Sequence, residues 1–526
     1  MTVSLSARLP ARASVGSATA ATSRVDALVV GVLVAAALAV RWPNLFLSPQ
    51  FPSIGSTPLR ALDIADGRVF HLADQAPYLG SPFMYLLAGV YKLFGPSVEA
   101  TLLLPWLIGG LTVVPTYLLG RELGGRIAGL VAGALLATSG AHTVISSHVP
   151  LSHSLTPLLA TTTLWLLARA VVRADGRSLA LAGLCAGLSL QTHPTVAPLL
   201  AGAAVAVLLA RRAWLATRWP YLACGLLLLG YSTLLADHIR TRFELVGDVQ
   251  GKQARYLDAD VDVGEDADHG VYLNNLEQLL LSLARLTSGV LNERELATDY
   301  LRDPRVMVYS AVAVAGVLIA VPRGSPLLLL ALLPAILLPP LLSGKYKPIL
   351  DGRYLMPLVP VLFVGIGLFV AAVRTIGSRL GRRAAIGPLV ALVALLVVQP
   401  LGELAEFYEE SGEDGFSNVL HLETLDQLRA ARAGSEPILL DRRLLEVKSP
   451  GGGNAGINFP WLLAVSRIPA EPWAESDGRP LPTGRLAILH RATAERLGPR
   501  LTLTPLDGRR LNGRDRASYR AYRVGG

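Results

Sequence analysis

Long apolar runs separated by short polar connections set the pattern of this chain. They fall near residues 27–41, 101–119, 127–145, 154–168, 178–192, 195–210, 220–236, 306–321, 325–343, 354–373 and 384–402. The runs are continuous rather than alternating, and most approach the roughly 17–25 residues that a helix needs to cross a bilayer core. The shorter ones need flanking residues or a thinned bilayer. Since a lipid-embedded backbone must satisfy its own hydrogen bonds, the pattern predicts an all-α polytopic membrane protein with about 11 transmembrane helices. The block Pro82–Phe94 is shorter and contains Lys92, which predicts an interfacial or re-entrant helix. Trp42, Trp106, Trp165, Trp214 and Trp219 stand near segment ends, where interfacial aromatics collect.

After residue 402 the pattern changes. A helix-like stretch (Val419–Ala433), a strand-like Pro437–Asp441, a loop at Gly451–Gly453, a second strand-like Leu486–Leu489 and a short helix at Ala492–Leu497 predict a small C-terminal α/β domain. The expected organisation is a disordered cytoplasmic N-terminus (1–26), a transmembrane domain (27–402) and an extracytoplasmic domain (403–526). The first apolar run leads into Arg41-Trp42-Pro43-Asn44, which lacks a small-residue cleavage site, so it reads as a retained anchor.

Composition agrees with the patterning. The 526 residues are 52% apolar and only 17% charged, against roughly 25% charged in a soluble domain. That excludes a soluble multidomain protein, a disordered chain and a disulfide scaffold. Net charge is +9, which alone would suit a nucleic-acid partner. The basic residues, however, gather in the connections Arg121–Arg126, Arg169–Arg177, Arg211–Arg218, Arg323 and Arg374–Arg383, whereas Ser146–Ser152 and Gln191–Pro194 hold no Lys or Arg. This is the positive-inside asymmetry of a multi-pass cell-membrane protein with a cytoplasmic N-terminus, and no nucleic acid is called for. The outer face then carries loops of about 42–100 and 237–305, a short loop 344–353 and the tail. Cys185 and Cys224 fall inside spans and read as small buried apolar side chains.

The apolar runs hold essentially no ionisable residue near their middles, which counts against ion-coupled transport. Polar groups are stacked instead at outer ends and in outer loops, as in an enzyme that works at the membrane surface on a lipid-linked substrate. His142, His148, His153 and His193 all fall at outer ends, and His238 follows Asp237 at another. They can form a polar pocket for acceptor or phosphate, hold a divalent metal, or simply lie at the interface. The acidic run Asp258–Asp268 fails the EF-hand template and reads as a solvated loop. No phosphate-binding glycine loop, His-Glu-x-x-His or nucleophile elbow occurs.

One resemblance is specific. Pro77-Tyr78-Leu79-Gly80-Ser81-Pro82, then Tyr85–Gly89, Lys92–Gly95 and Leu118–Gly125, resemble the first third of GT-C glycosyltransferases. The nearest branch is that of the protein O-mannosyltransferases and lipid A aminoarabinose transferases. Gly183–Leu188, Thr192-His193 and Gly352-Arg353-Tyr354-Leu355 with Pro357 and Pro360 agree in order, over roughly 27–400. The resemblance implies a GT-C-like core and transfer of a sugar from a polyprenyl-phosphate carrier to an acceptor hydroxyl on a protein, lipid or glycan, at the outer face. It implies a carboxylate for the acceptor and cations for the departing lipid phosphate. Arg353 matches the family's Arg-Tyr position; with Lys345, Lys347 and Tyr354 it makes the expected donor-phosphate site, the other reading being contact with lipid headgroups. Family members carry an Asp-Glu pair where this chain has Ser53-Ile54, so the catalytic carboxylate does not transfer. Asp63 and Asp66, one helical turn apart, are the remaining first-loop candidates, with solvated surface acids as the alternative. The departure keeps a second function open, a catalytically silent relative that binds prenyl lipid or scaffolds an envelope complex.

Overall fold

The computed structural model describes residues 24–43, 45, 56–74, 76–243, 270–291, 303–322, 326–344, 352–379, 386–413, 419–445, 458–507 and 519–525. Up to residue 413 the described elements are helices. They are α1 (Arg24–Arg41), α2 (Ser56–Ala65), α3 (Pro82–Phe94), α4 (Val98–Leu111), α5 (Val113–Thr138), α6 (Gly140–Ser147), α7 (Leu155–Arg173) and α8 (Gly176–Thr192). There follow α9 (Ala197–Ala210), α10 (Arg218–Gly230), α11 (Ser232–Arg240), α12 (Val271–Ser288), α13 (Pro304–Ala320), α14 (Leu327–Leu337), α15 (Val359–Arg379) and α16 (Ile386–Glu413). The apolar runs read from the sequence all lie largely within this set. Among the described residues, length and apolarity alone mark four stretches able to cross a membrane, or up to five if the pair α10–α11, bent by 61°, is one span. A count of about 11 passes therefore depends on shorter and broken helices as well.

The longest stretch, Val98–Thr138, doubles back on itself. Gly125 takes φ 82°, a left-handed conformation that glycine reaches without steric cost. A Cβ on Gly129 would lie 2.6 Å from the Tyr117 carbonyl oxygen, whereas residues twelve apart in a straight helix are about 18 Å apart. The Arg121–Arg126 connection is thus a tight turn between antiparallel arms. The Gly183/Gly187 motif also has a packing explanation. A Cβ at either position would overlap the carbonyls of Ala223 or Leu227, so the i, i+4 glycines let α8 and α10 meet backbone to backbone.

Charge separates the two ends of the helical core. At one end the buried Asp26 carboxylate pairs with Arg121 at 2.9 Å and Arg126 at 3.0 Å and accepts the Tyr117 hydroxyl at 2.8 Å. Arg173 clasps Glu122 there with two hydrogen bonds, and Arg211 donates to the Val171 carbonyl. The described parts of the connections Arg121–Arg126, Arg169–Arg177 and Arg211–Arg218 thus gather at one end, while Arg323 lies outside the described residues. Arg41, His142, His148, His153 and His193 lie toward the other.

Helix α3 spans the residues expected of the interfacial segment. Its 13 residues reach only about 20 Å, short of a bilayer core. Phe83, Met84, Leu87 and Tyr91 are buried, while Leu86, Leu93 and Phe94 are exposed. Both cysteines are free, but Cys224 is exposed on α10 and Cys185 half-buried, so neither is the fully buried side chain expected.

The tail forms α17 (Val419–Ala431), β1 (Ile438–Asp441), α18 (Phe459–Val465), β2 (Ala470–Trp473), β3 (Leu486–His490), α19 (Arg491–Leu497), β4 (Thr502–Pro505) and β5 (Tyr519–Gly525). The sheet order is β2-β1-β3-β5-β4, with β2, β1 and β3 parallel and β5 antiparallel to both β3 and β4. Composition changes at residue 403, but α16 runs through that point to Glu413. The tail rests on the first loop, where α18 packs on α2 and Arg467 clasps Asp66 at 2.8 and 3.0 Å.

Candidate functional site

Three short turns converge at the histidine-bearing end. They are the 3-10 turn Ser152–Ser154 before α7, the turn at His193 between α8 and α9, and the 3-10 turn Gly352–Tyr354 before α15. Each sits where an apolar helix begins or ends, so its side chains are held by packed spans behind it. The rings of His153 and His193 lie 4.6 Å apart, centroid to centroid, and Tyr354 lies 4.9 Å from His193 and 5.8 Å from His153. Tyr78 from the first loop stands edge-on to His193 at 5.7 Å. The Arg353 guanidinium lies 4.5 Å over the Tyr354 ring and donates to its hydroxyl at 2.8 Å.

The two histidines differ in what they are given. Thr195 supplies His193 Nδ1 with its hydroxyl at 2.8 Å and its backbone N–H at 3.2 Å. Burial, with Arg353 close by, pushes the His193 imidazole down to about 3, so the ring is neutral at ordinary pH and a feeble base. His153 is only 7% exposed, yet among the described residues neither ring nitrogen has a hydrogen-bond partner. A buried donor and acceptor left open cost roughly 1–3 kcal/mol each, which is tolerable where a ligand completes them.

Beside this cluster lies a carboxylate that the sequence did not single out. Asp74 is 4% exposed, and its Oδ2 accepts the hydroxyls of Thr57 at 2.8 Å and Ser152 at 3.0 Å. Ser152 precedes His153, so carboxylate and open imidazole hang on adjoining positions. The loop that carries Asp74 is pinned: its N–H donates to the Leu79 carbonyl, and Ala73 bridges Gly80. Gly80 N–H in turn donates to the Gln191 carbonyl at 2.7 Å. The Gln191 amide caps Gly230 at the α10–α11 bend and accepts from Thr233. Gln191 thereby ties the first loop to the end of α8, two residues before His193.

The four histidines read at the outer ends fall into two groups. His142 and His148 belong to a neighbouring network around Arg41, which is fully buried. Arg41 donates to the carbonyls of Ala37, Leu136 and Ala137, to Ser147 and to His142 Nδ1. His148 Nε2 donates to the Arg41 carbonyl at 3.0 Å, and Nδ1 accepts the Tyr408 hydroxyl at 2.6 Å. Both His148 nitrogens are therefore used in joining α1, α6 and α16, which explains its burial without a ligand. Asp63 and Asp66 do not join the Asp74 group either. Asp63 pairs with Arg68 at 3.3 Å, and Asp66 is held between Arg68 and Arg467. Those arginines hold the Asp66 carboxyl well below the usual carboxylate range, so it is a docking ion and not a base. His238 bonds Tyr231 at 3.2 Å beside the helix bend.

Lys345 and Lys347 lie outside the described residues, as do Ser53-Ile54, the acidic run 258–268 and the 451–453 glycines. Among the described residues no three His, Cys, Asp or Glu side chains meet as a metal site. Asp74, Tyr78 and Gln191 are the residues that sequence reading missed as site elements. Only Tyr78 carried a signal, through its place in the Pro77–Pro82 motif.

Residues 80–236 match the sequence profile of the family described as dolichyl-phosphate-mannose-protein mannosyltransferase. That segment holds His142, His148, His153 and His193 but neither Asp74 nor Arg353. No curated protein sequence matches the chain. Among solved structures, ArnT from Cupriavidus metallidurans bound to undecaprenyl phosphate shares the fold, with TM-score 0.58 and 14% identity over 96% of this chain and 98% of that one. The apo state of the same ArnT gives TM-score 0.56 at 14% identity, over 95% and 98%. The chain thus shares the fold of ArnT, and its segment 80–236 resembles the dolichyl-phosphate-mannose-protein mannosyltransferase family.

Proposed function

We propose that this chain moves a sugar from a polyprenyl-phosphate carrier to an acceptor hydroxyl. The site is the end of the core where Asp74, His153, His193, Arg353 and Tyr354 gather. The observation that carries the reading is a buried carboxylate bonded to Ser152, next in sequence to the open His153, with Tyr354 and its guanidinium neighbour Arg353 packed on the His153–His193 pair. As the acceptor oxygen bonds to the anomeric carbon, the bond from that carbon to phosphate breaks and takes its electron pair onto the phosphate. Asp74 receives the acceptor proton, and Arg353 holds the charge that develops on the leaving polyprenyl phosphate. His153 hydrogen-bonds sugar or acceptor hydroxyls, and neutral His193 and Tyr354 wall the pocket. The undecaprenyl phosphate bound by ArnT supports this carrier class, and the positive-inside rule supports an orientation with the basic Asp26 end in the cytoplasm and the site, with the tail domain, outside.

The test is complementation of a deletion strain with wild type, Asp74→Asn and Arg353→Ala, read by profiling lipid-linked sugars and envelope glycans. Either variant is expected to lower transfer by about 100-fold or more at normal membrane levels. Full restoration by both would overturn the enzymatic reading and leave the lipid-binding or scaffold role in its place.

A further inference from the structure

At the opposite, basic end of the core a cavity of about 690 Å³ opens between α7, α8 and α10. Its walls are Trp165 and Trp219, its polar rim is Arg169 and Arg177, and Leu166 and Leu181 of the spans form its apolar part. We propose that this cavity binds one anionic phospholipid, with the headgroup phosphate on the arginines and the first acyl carbons against the leucines.

Three observations carry this. The charge is only partly compensated. Asp175 is the acid of the rim, and its oxygens are engaged by the Arg177 N–H at 3.0 Å and the Ser178 hydroxyl at 2.7 Å, besides a 3.5 Å pairing with Arg169. Against that single acid stand Arg169, Arg177 and Arg218, the last lying 4.8 Å over the Trp219 ring. Arg173, by contrast, is neutralised by Glu122. The aromatic wall is built rather than incidental, because Trp219 packs directly on Gly176, where a Cβ would overlap the indole. The cavity is also amphipathic in the direction a lipid requires, with guanidinium groups at the connection Arg169–Arg177 and an exposed Leu181 one turn into α8. Volume of this order suits a headgroup with its glycerol and adjoining methylenes. A basic pocket between spans at the end rich in Lys and Arg is where membrane electrostatics favour an anionic headgroup.

The test uses the full chain in nanodiscs of phosphatidylcholine carrying a graded fraction of phosphatidylglycerol brominated near the headgroup end of its chains. Quenching of tryptophan fluorescence reads occupancy beside Trp165 and Trp219. Phosphatidylglycerol is expected to quench at far lower fractions than equally brominated phosphatidylcholine. Arg169→Gln with Arg177→Gln is expected to weaken this about 30-fold, roughly 1 kcal/mol for each guanidinium. Equal quenching by the two lipids in the wild type overturns the proposal whether or not the double variant folds. An unchanged titration in a folded double variant does the same. Displacement of the brominated lipid by millimolar glycerol phosphate overturns it in favour of a soluble phosphate ligand.

Discussion

Arg41 and Arg353 stand at the same end of the core, each with two histidines and a tyrosine, and the two groups are wired differently. Around Arg41 the guanidinium meets three backbone carbonyls, a serine and a histidine, and His148 is bonded at both nitrogens. His142 Nε2 alone of the histidine nitrogens there is left without a partner. Around Arg353 the rings stack within 4.6–5.8 Å, yet both nitrogens of His153 stay open in a setting almost closed to water. Residue type does not tell a joint from a site; hydrogen-bond saturation does. A saturated cluster holds helices in register, and an open one waits for a ligand.

The largest effect that can break this comparison is on Arg41. Arg41→Ala leaves the Leu136 and Ala137 carbonyls and His142 without their donor inside a buried network. A loss of about 3–5 kcal/mol is expected, seen as loss of folded protein from the membrane. Arg353→Ala is half-buried by contrast and is expected to fold. If thermal melting in detergent ranks the two variants the other way, the division into joint and site is wrong.

The histidines sharpen it next. His148→Ala strands the buried Tyr408 hydroxyl and is expected to cost about 1–3 kcal/mol of stability. His153→Ala removes two nitrogens that no described residue satisfies. It is expected to leave the melting point within a few degrees while slowing transfer about tenfold or more, near 1.4 kcal/mol in the barrier. Melting and transfer assays on the same two preparations check both. Transfer lost with His148 at unchanged stability would reverse the roles.

What the sequence made legible follows from the reach of each interaction. Apolar runs are local, so the helices could be read from them; the family motif likewise placed Arg353 and Tyr354. His153 and His193 were visible as members of a set, but their separation from His148 was not. The chain turns at Val149–Leu151, and five positions then lead into a different cluster. Asp74 left no sequence signature, because the hydroxyls that hold it lie 17 and 78 positions away. Asp63 and Asp66 looked better placed from helical spacing, yet Arg467, 401 positions on, claims Asp66. In the tail the buried strands β1 and β3 were apparent. The edge strands were not, since β2 contains Pro472 and is mostly exposed, and β4 is half-exposed throughout.

The smallest expected effect concerns how the tail is held over the first loop. Asp66 bonds Arg467 and Arg68, and those contacts hold its carboxyl below the usual range. A folded value below the unfolded one means that the pair contributes fully above about pH 4, the ordinary carboxylate value, and loses its contribution as pH falls through the lowered value. The carboxylate is partly exposed, so the contribution is that of a surface pair, about 0.2–1 kcal/mol. The consequence is local because α2, which α18 covers, also carries Thr57, and Thr57 holds Asp74. Hydrogen exchange on α18 and α2 is therefore expected to quicken below about pH 4 in the wild type. Asp66→Asn is expected to show the quicker exchange already at neutral pH, with no further acid step from this pair. Identical exchange in the two proteins at neutral pH would remove Asp66 as the link between tail and loop. Thr57 would then hold Asp74 independently of the domain above it, and the Arg353 cluster would be as self-contained as the Arg41 network beside it.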